Sequence, residues 1–455
     1  MKKSLTIAAV LGLTLASASA LADSISQKTD PSITTAVGAI TPAAIQADIE
    51  KLVSFGTRST LSAQDPGSIA AGHGIGAAHE WLKSQFEAYS KECGGCLEVK
   101  TDDFIQEAGG RIPRPTPLTN VYAVLKGSDP DWTKRIVLVT GHYDSRRTDV
   151  LDATGDAPGA NDDASGTAVS LESAHALAVA SSKLKLRAAV IFLTVAGEEQ
   201  GLLGAKHFAQ MAKQAGWNIE AVLNNDIVGG DKSPGQDMGV VRVFSEGIPT
   251  VADEKEIKLI RAVGGENDSR SRELARYVAE AAASHRGVKV LMEFRPDRYL
   301  RGGDHTAFNE QGYAAVRLTE YRENFNHQHQ NPRTENGIEY GDTLKFVSFD
   351  YVAGVARLNA LTLAALAAAP APPADVKLMT SGLDNDSTLK WQPVDGASGY
   401  EVLWRATTAP TWDHVEETRD TTVTVKVSKD NVIFAVRAVD EAGHKSLPVE
   451  PMPER

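Results

Sequence analysis

The stretch RIVLVTGHYDS, residues 135–145, runs from an unbroken aliphatic segment straight into a polar cluster that holds His142, Asp144 and Ser145. A run that is apolar at consecutive positions is a strand covered on both faces, as in a parallel sheet flanked by helices. The same pattern returns downstream. Residues 188–195 are apolar and lead into Gly197-Glu198-Glu199-Gln200-Gly201; residues 221–223 lead into Asn224-Asn225-Asp226; residues 313–318 form another such run. Helical patterns fall between or after these runs, at 167–180, 202–215, 271–284, 305–310 and 349–368. Strands alternating with helices predict an α/β domain with a mixed, largely parallel central sheet sandwiched between helices.

Upstream, Ile75, Ala78, Trp81, Leu82 and Phe86 keep the three-four rhythm of one amphipathic helix over 68–89, and 120–125 and 288–292 read as strands. Residues 42–53 suggest a helix, and 24–40 read as an extended lead-in, so that 23–60 is a lead-in or pro-segment. Downstream, Pro370, Pro372 and Pro373 make 369–374 a stiff linker. Short strand-like runs at 388–391, 399–404, 421–427 and 432–438 then predict a C-terminal all-β sandwich domain over 375–455.

The 455 residues carry a formal charge of -12, which argues against a nucleic-acid partner. Met1-Lys2-Lys3, an apolar run over 5–15 and Ala20-Leu21-Ala22 before Asp23 have the three parts of a secretory signal peptide, 1–22. The expected product is exported, periplasmic or extracellular, with no membrane span. Cys93 and Cys96 are the only two cysteines, and outside the cytosol they are expected to close a small disulfide loop.

Each chemically interesting cluster lies at a strand end, the edge where open parallel sheets bind ligands. His142 is the first candidate metal ligand, with Asp144 two residues along as the acceptor for its second ring nitrogen. Alone, such a pair is more often an ordinary hydrogen bond. In PGANDDASG, residues 158–166, Asp162 and Asp163 are adjacent carboxylates between two glycines, although aspartates at a helix start also cap free N–H groups. Glu198 and Glu199 allow one carboxylate to bind metal while the other handles a proton; Asp226 and the His327-Gln328-His329 run complete the set. Two imidazoles and several carboxylates without a thiolate suit zinc with open positions.

The order GHYDS, PGANDDASG, GEEQG, NND and a late histidine resembles the M28 family of zinc peptidases over residues 115–365, and the expected peptidase domain is 61–368. The resemblance implies a zinc-peptidase α/β sandwich with two zinc ions. Asp162 would bridge them, His142 and Asp226 would complete one site, and Glu199 and His329 the other. Relatives place a particular pattern after this histidine, which favours His329 and leaves His327 as the alternative. Glu198 would be the general base toward a water activated between the ions, with a donor such as a tyrosine steadying the oxyanion. Asp304-His305 also resembles a family segment but holds no metal there. The implied activity is that of an aminopeptidase on peptides with a free N-terminus. Carboxypeptidase action, for which Arg146 and Arg147 would serve, one-zinc glutaminyl cyclisation, and a non-catalytic binding protein are the alternatives. Trp391, the Tyr400 strand and the 434–438 strand resemble a fibronectin type III module, for which attachment to a surface or polymer is the expected role.

Overall fold

The computed structural model describes residues 30–285 and 287–454, so the expected signal peptide lies outside the described residues. Eight strands form the main sheet: β1 (Leu97–Gln106), β2 (Thr116–Leu125), β3 (Ile136–His142), β4 (Ala189–Val195), β5 (Ile219–Asn225), β6 (Val240–Ser245), β7 (Lys289–Glu293) and β8 (Ala315–Glu320), in the order β1-β2-β4-β3-β5-β8-β6-β7. The central four, β4-β3-β5-β8, are mutually parallel, whereas β2 joins β4 and β6 joins β8 antiparallel. The sheet is therefore mixed. β3, β4 and β5 are buried at every position, as expected for central strands whose apolar runs are covered on both faces.

The helices are α1 (Pro31–Val37), α2 (Pro42–Val53), α3 (Pro66–Ala70), α4 (Gly74–Glu92), α5 (Ala164–Ala180), α6 (Leu203–Gln214), α7 (Glu254–Val263), α8 (Arg270–Ser284), α9 (Asp304–Asn309) and α10 (Phe349–Ala368). One face of the sheet packs on α1, α2, α4, α5, α8 and α10, the other on α6 and α9. Among the described residues α10 alone has the length and apolarity to cross a membrane, and 83% of its most apolar window is buried inside the protein. It is a core helix.

Three sequence expectations change. The lead-in over 24–40 is not extended from residue 31: α1 forms there, capped by Asp30, and buries Ile33, Ala36 and Val37 in the main core. With α2, begun by Thr41 capping the Ala44 N–H and by Pro42 at the first helical position, it makes the lead-in part of the core. The single helix over 68–89 is two, because Gly72 and Gly74 take φ of 68° and 85°; a Cβ on Gly74 would lie 2.6 Å from the Ala63 carbonyl oxygen. Strands β1 and β6 went unread, β1 because its charges leave no clean alternation and β6 because Arg242 interrupts it.

Cys93 and Cys96 are disulfide-bonded where α4 turns into β1. A hairpin, β9 (Arg333–Glu335) and β10 (Ile338–Tyr340), precedes α10. The C-terminal region is all-β: β11 (Lys377–Met379), β12 (Ser387–Lys390), β15 (Thr422–Val425) and β17 (Met452–Glu454) form one sheet, and β13 (Gly399–Ala406), β14 (His414–Thr418) and β16 (Val432–Val439) another. Leu389, Trp391, Tyr400, Val402, Phe434 and Val436 fill the space between them. This region is docked on α8 through buried charges: Arg437 pairs with Glu280 at 2.7 Å, Arg405 with Asp268, and the Trp412 indole donates to Glu273 at 2.8 Å.

Candidate metal centre

The parallel strands β3, β4 and β5 end side by side, and each delivers its polar cluster to the same edge. β3 can pass the start of α5 only because residue 141 is glycine; a Cβ there would sit 2.4 Å from the Gly166 carbonyl carbon. His142 is completely buried. Its Nδ1 lies 3.1 Å from the Asp144 carbonyl oxygen and 3.4 Å from Asp144 Oδ1. Its Nε2 faces two carboxylates, Asp162 Oδ1 at 3.1 Å and Asp226 Oδ1 at 3.9 Å. The other Asp162 oxygen, Oδ2, lies 2.9 Å from His329 Nε2, which is 3.3 Å from Glu199 Oε1. Asp162 thus stands between two imidazoles with one oxygen toward each. Donor atoms gather in two sets, His142 with Glu198 and Asp226, and Asp162 with Glu199 and His329, each within 4.8 Å.

Whether cations suit this cluster can be tested on its own atoms. His142 Nε2, Asp226 Oδ2 and Glu199 Oε1 are buried without a hydrogen bond, although the first and third have oxygen or nitrogen neighbours at 3.1 and 3.3 Å. Close contact without hydrogen-bond alignment leaves these lone pairs unsatisfied, an arrangement that costs stability unless something charged fills it. The electrostatics agree. In the metal-free chain burial pushes Glu198 well above the usual carboxylate range, and neighbouring Asp226, Glu199 and Asp304 add to it; Glu199 rises chiefly through burial as well. Burial, helped by Asp226 and Asp144, lifts Asp304 to about 7. Burial works to lower His329, but Glu199 and Asp162 outweigh it and carry the imidazole up to about 10, the electrostatic signature of a cluster that attracts positive charge, as divalent cations would supply. The donor set fits zinc.

The model of peptidase family M28 matches residues 120–345. A probable zinc metalloprotease of Pyrenophora tritici-repentis is 47% identical over 90% of this chain and 84% of that one. Another, of Leptosphaeria maculans, is 46% identical over 90% of this chain and 94% of its own. The chain belongs to peptidase family M28. At 20% identity, the LapA aminopeptidase of Legionella pneumophila shares the fold of this M28 zinc metallopeptidase, with a TM-score of 0.53 over 81% of this chain and 80% of that one.

Around the M28 donor set lies a frame that sequence reading largely missed. The Asp144 carboxylate, expected to serve His142, also accepts from the backbone N–H groups of Glu198 and Glu199, both at 3.2 Å, and from the Thr60 hydroxyl at 2.7 Å. It therefore fixes the glutamate turn, while the His142 imidazole lies closer to the Asp144 backbone carbonyl, at 3.1 Å, than to the carboxylate, at 3.4 Å. Asp163 takes the capping role: it accepts from Gly166 N at 2.9 Å, and also from His142 N at 3.0 Å and Ile227 N at 3.3 Å, tying the start of α5 to the ends of β3 and β5. Asp342 accepts from the N–H groups of Asn161 and Asp162, each at 2.7 Å. Fully buried Arg317 on β8 meets Asp226 Oδ1 at 2.8 Å. Arg58, also fully buried, donates to the carbonyls of Leu52, Tyr143, Pro158 and Gly159. Asp304 lies close enough to Glu198 to raise it electrostatically.

The histidine run resolves into two different environments. His327 Nδ1 pairs with Asp231 and its ring stacks on Phe346 with centroids 3.5 Å apart. His329 is the one that reaches Asp162 and Glu199, from a backbone at φ 55°, a conformation few side chains adopt without functional or structural cause. Beside the cluster opens a cleft of about 610 Å³ lined by Glu198, His329, Phe325 and three arginines, Arg111, Arg146 and Arg301. No tyrosine lines it among the described residues.

Proposed function

We propose that this M28 chain is an exported di-zinc aminopeptidase, in which His142 and Asp226 hold one ion, Glu199 and His329 the other, and Asp162 both. The observation that carries this reading is the position of Asp162, with one oxygen 3.1 Å from His142 Nε2 and the other 2.9 Å from His329 Nε2. Zinc held there would polarise a scissile carbonyl and bring the pKa of water toward neutrality. Glu198 is the general base: its backbone is fixed by Asp144, its carboxylate faces the His142 and Asp226 donors, and burial raises its proton affinity toward the range in which a carboxylate can both accept and return a proton. It takes a proton from the attacking water and delivers one to the leaving amine. The carboxylates of the cluster suit a substrate's free α-amine. Residues 61–368 carry this chemistry, 1–22 direct export, and 375–455 form a fibronectin type III-like module.

Metal analysis combined with hydrolysis of free and N-acetylated aminoacyl-anilides tests the reading. The expected result is two zinc ions per chain and chelator-sensitive cleavage of free substrates only; one zinc, or cleavage confined to blocked substrates, overturns it. Glu198→Gln is expected to lower kcat roughly 10²- to 10⁴-fold with zinc retained. Near-normal turnover in that variant would remove Glu198 from its role.

A further inference from the structure

We infer that the cleft selects substrates bearing a carboxylate near the scissile bond, held by Arg111, Arg146 and Arg301. This rests on the reading of the cleft as the peptidase site. The chain as a whole is acidic, with a charge of -12, yet apart from Glu198, Glu199 and His329, which belong to the donor cluster, every charged residue lining the cleft is an arginine. An arginine cluster in an acidic protein calls for a local anion, and among the described residues the protein supplies too little of one.

Arg111 donates to the Glu199 carbonyl oxygen at 2.7 Å and meets no carboxylate within ion-pair distance among the described residues. Arg146 is held in place by donation from Nε to the Arg147 carbonyl and from Nη2 to the Thr148 carbonyl, while its Nη1 remains 3.7 Å from Glu199 Oε2, too long for a hydrogen bond. Arg301 approaches Glu323 Oε2 at 3.4 Å, but Glu323 already pairs with Arg298 at 2.8 Å and Arg242 at 3.0 Å. Glu323 is thus shared by three guanidinium groups, of which Arg298 also meets Asp297 at 3.0 Å, and Arg301 has the longest of the three contacts, which leaves its positive charge the least compensated, at the cleft mouth. Guanidinium forks match a carboxylate in shape and charge, and such charge-assisted bonds are stronger than neutral ones. The same field disfavours lysine- and arginine-rich peptides. The carboxylate can come from an acidic side chain flanking the scissile bond or from the C-terminus of a short peptide, and the chemistry of recognition is common to both.

Paired substrates that differ only in charge separate the sources. Glu- against Gln-anilide and Leu-Asp-amide against Leu-Asn-amide report a side-chain acid; the dipeptide Leu-Ala against Leu-Ala-amide reports a terminal carboxylate. In the zinc-loaded full chain, kcat/KM is expected to favour the charged member of at least one pair by roughly tenfold to a hundredfold, the range for bonds to a charged group. The ratio should shrink as salt rises. Arg111→Met and Arg301→Met, at exposed positions, should each bring it toward unity with zinc content intact. Ratios near one in all pairs, with neutral peptides cleaved, overturn the carboxylate site and leave the aminopeptidase reading standing. If no free-amine peptide is cleaved, the aminopeptidase reading fails and N-acetylated members of the same pairs decide: preference for the charged member upholds the arginine site, and its absence overturns both.

Discussion

Arg58 offers a sharp test of how the donor cluster is held. Its buried guanidinium makes four hydrogen bonds to backbone carbonyls: Leu52 at 2.9 Å, Tyr143 at 2.8 Å, Pro158 at 2.7 Å and Gly159 at 2.8 Å. Two belong to the loop before Asp162, one follows His142, and one ends α2. Burial lowers the pKa of Arg58 to about 10, with Asp342 and Asp144 opposing the fall, so the group is charged at neutral pH. Arg58→Met keeps the length of the side chain and removes all four donors. A buried acceptor left without a donor costs roughly 1–3 kcal/mol, and water reaching part of the gap argues for the lower half, so four lost donors cost about 4–8 kcal/mol. Whole domains are stable by only about 5–15 kcal/mol. The variant is therefore expected to unfold at much lower denaturant with an unchanged slope, and to lose zinc before it unfolds, because the loop of Asp162 is released first. Equilibrium urea unfolding with zinc titration measures both. A variant within about 1 kcal/mol of the parent and full in zinc would refute the reasoning, since no rearrangement that small could re-satisfy four carbonyls.

The two histidines should part company. His329→Ala is expected to lose zinc and activity with little change in the melting temperature of the metal-free chain, whereas His327→Ala, which empties the contact with Asp231 and Phe346, should lower stability and keep metal; the reverse pattern in metal analysis would exchange their roles. Glu450, raised above its ordinary 4.5 by burial and by Glu273 and Asp268, has a carboxyl oxygen without a partner. A raised folded pKa means that its contribution to stability is complete at low pH and lost as pH rises, so Glu450→Gln should raise the melting temperature at about pH 8 and not at about pH 4. A pH-independent effect would contradict this. Truncation after Ala369 should destabilise the remainder, because α8 would expose Glu273 and Arg276, which the β-region now covers; an unchanged melting temperature of the truncated chain would show the docking to be dispensable.

Much of the sheet and of the donor cluster could be read from sequence because the two signals coincide. Each buried parallel strand is an apolar run, and each ends in a polar cluster, so His142, Glu199 and Asp226 are marked by position as well as by type. What escaped was whatever depended on pairing across long sequence distances. Asp342 reaches the Asp162 amide from 180 residues away, and Arg58 reaches Gly159 from 101 residues away. Nothing local distinguishes Arg317, set between Val316 and Leu318, from a boundary arginine until Asp226 is seen beside it. The α1 segment failed for another reason: seven residues of mixed Ser, Thr and apolar character have little helical preference, and burial against the core decides their state. The family pattern favours His329 over His327 in sequence, and the structure shows the physical difference: His327 packs on Phe346 and Asp231, whereas His329 reaches Asp162 and Glu199.

The grip of Asp342 on the Asp162 loop has a consequence for the order of events during biosynthesis. The chain emerges from its N-terminus, and the loop of Asp162 is made long before the residue that secures its amide groups. Until Asp342 has appeared and docked, the amide groups of Asn161 and Asp162 lack the acceptor that positions their loop, and the growing chain lacks part of the frame of the donor cluster. Metal uptake is thereby postponed to the nearly completed molecule, and a prematurely terminated product lacking the last quarter of the polypeptide is denied enzymatic competence at the same stroke.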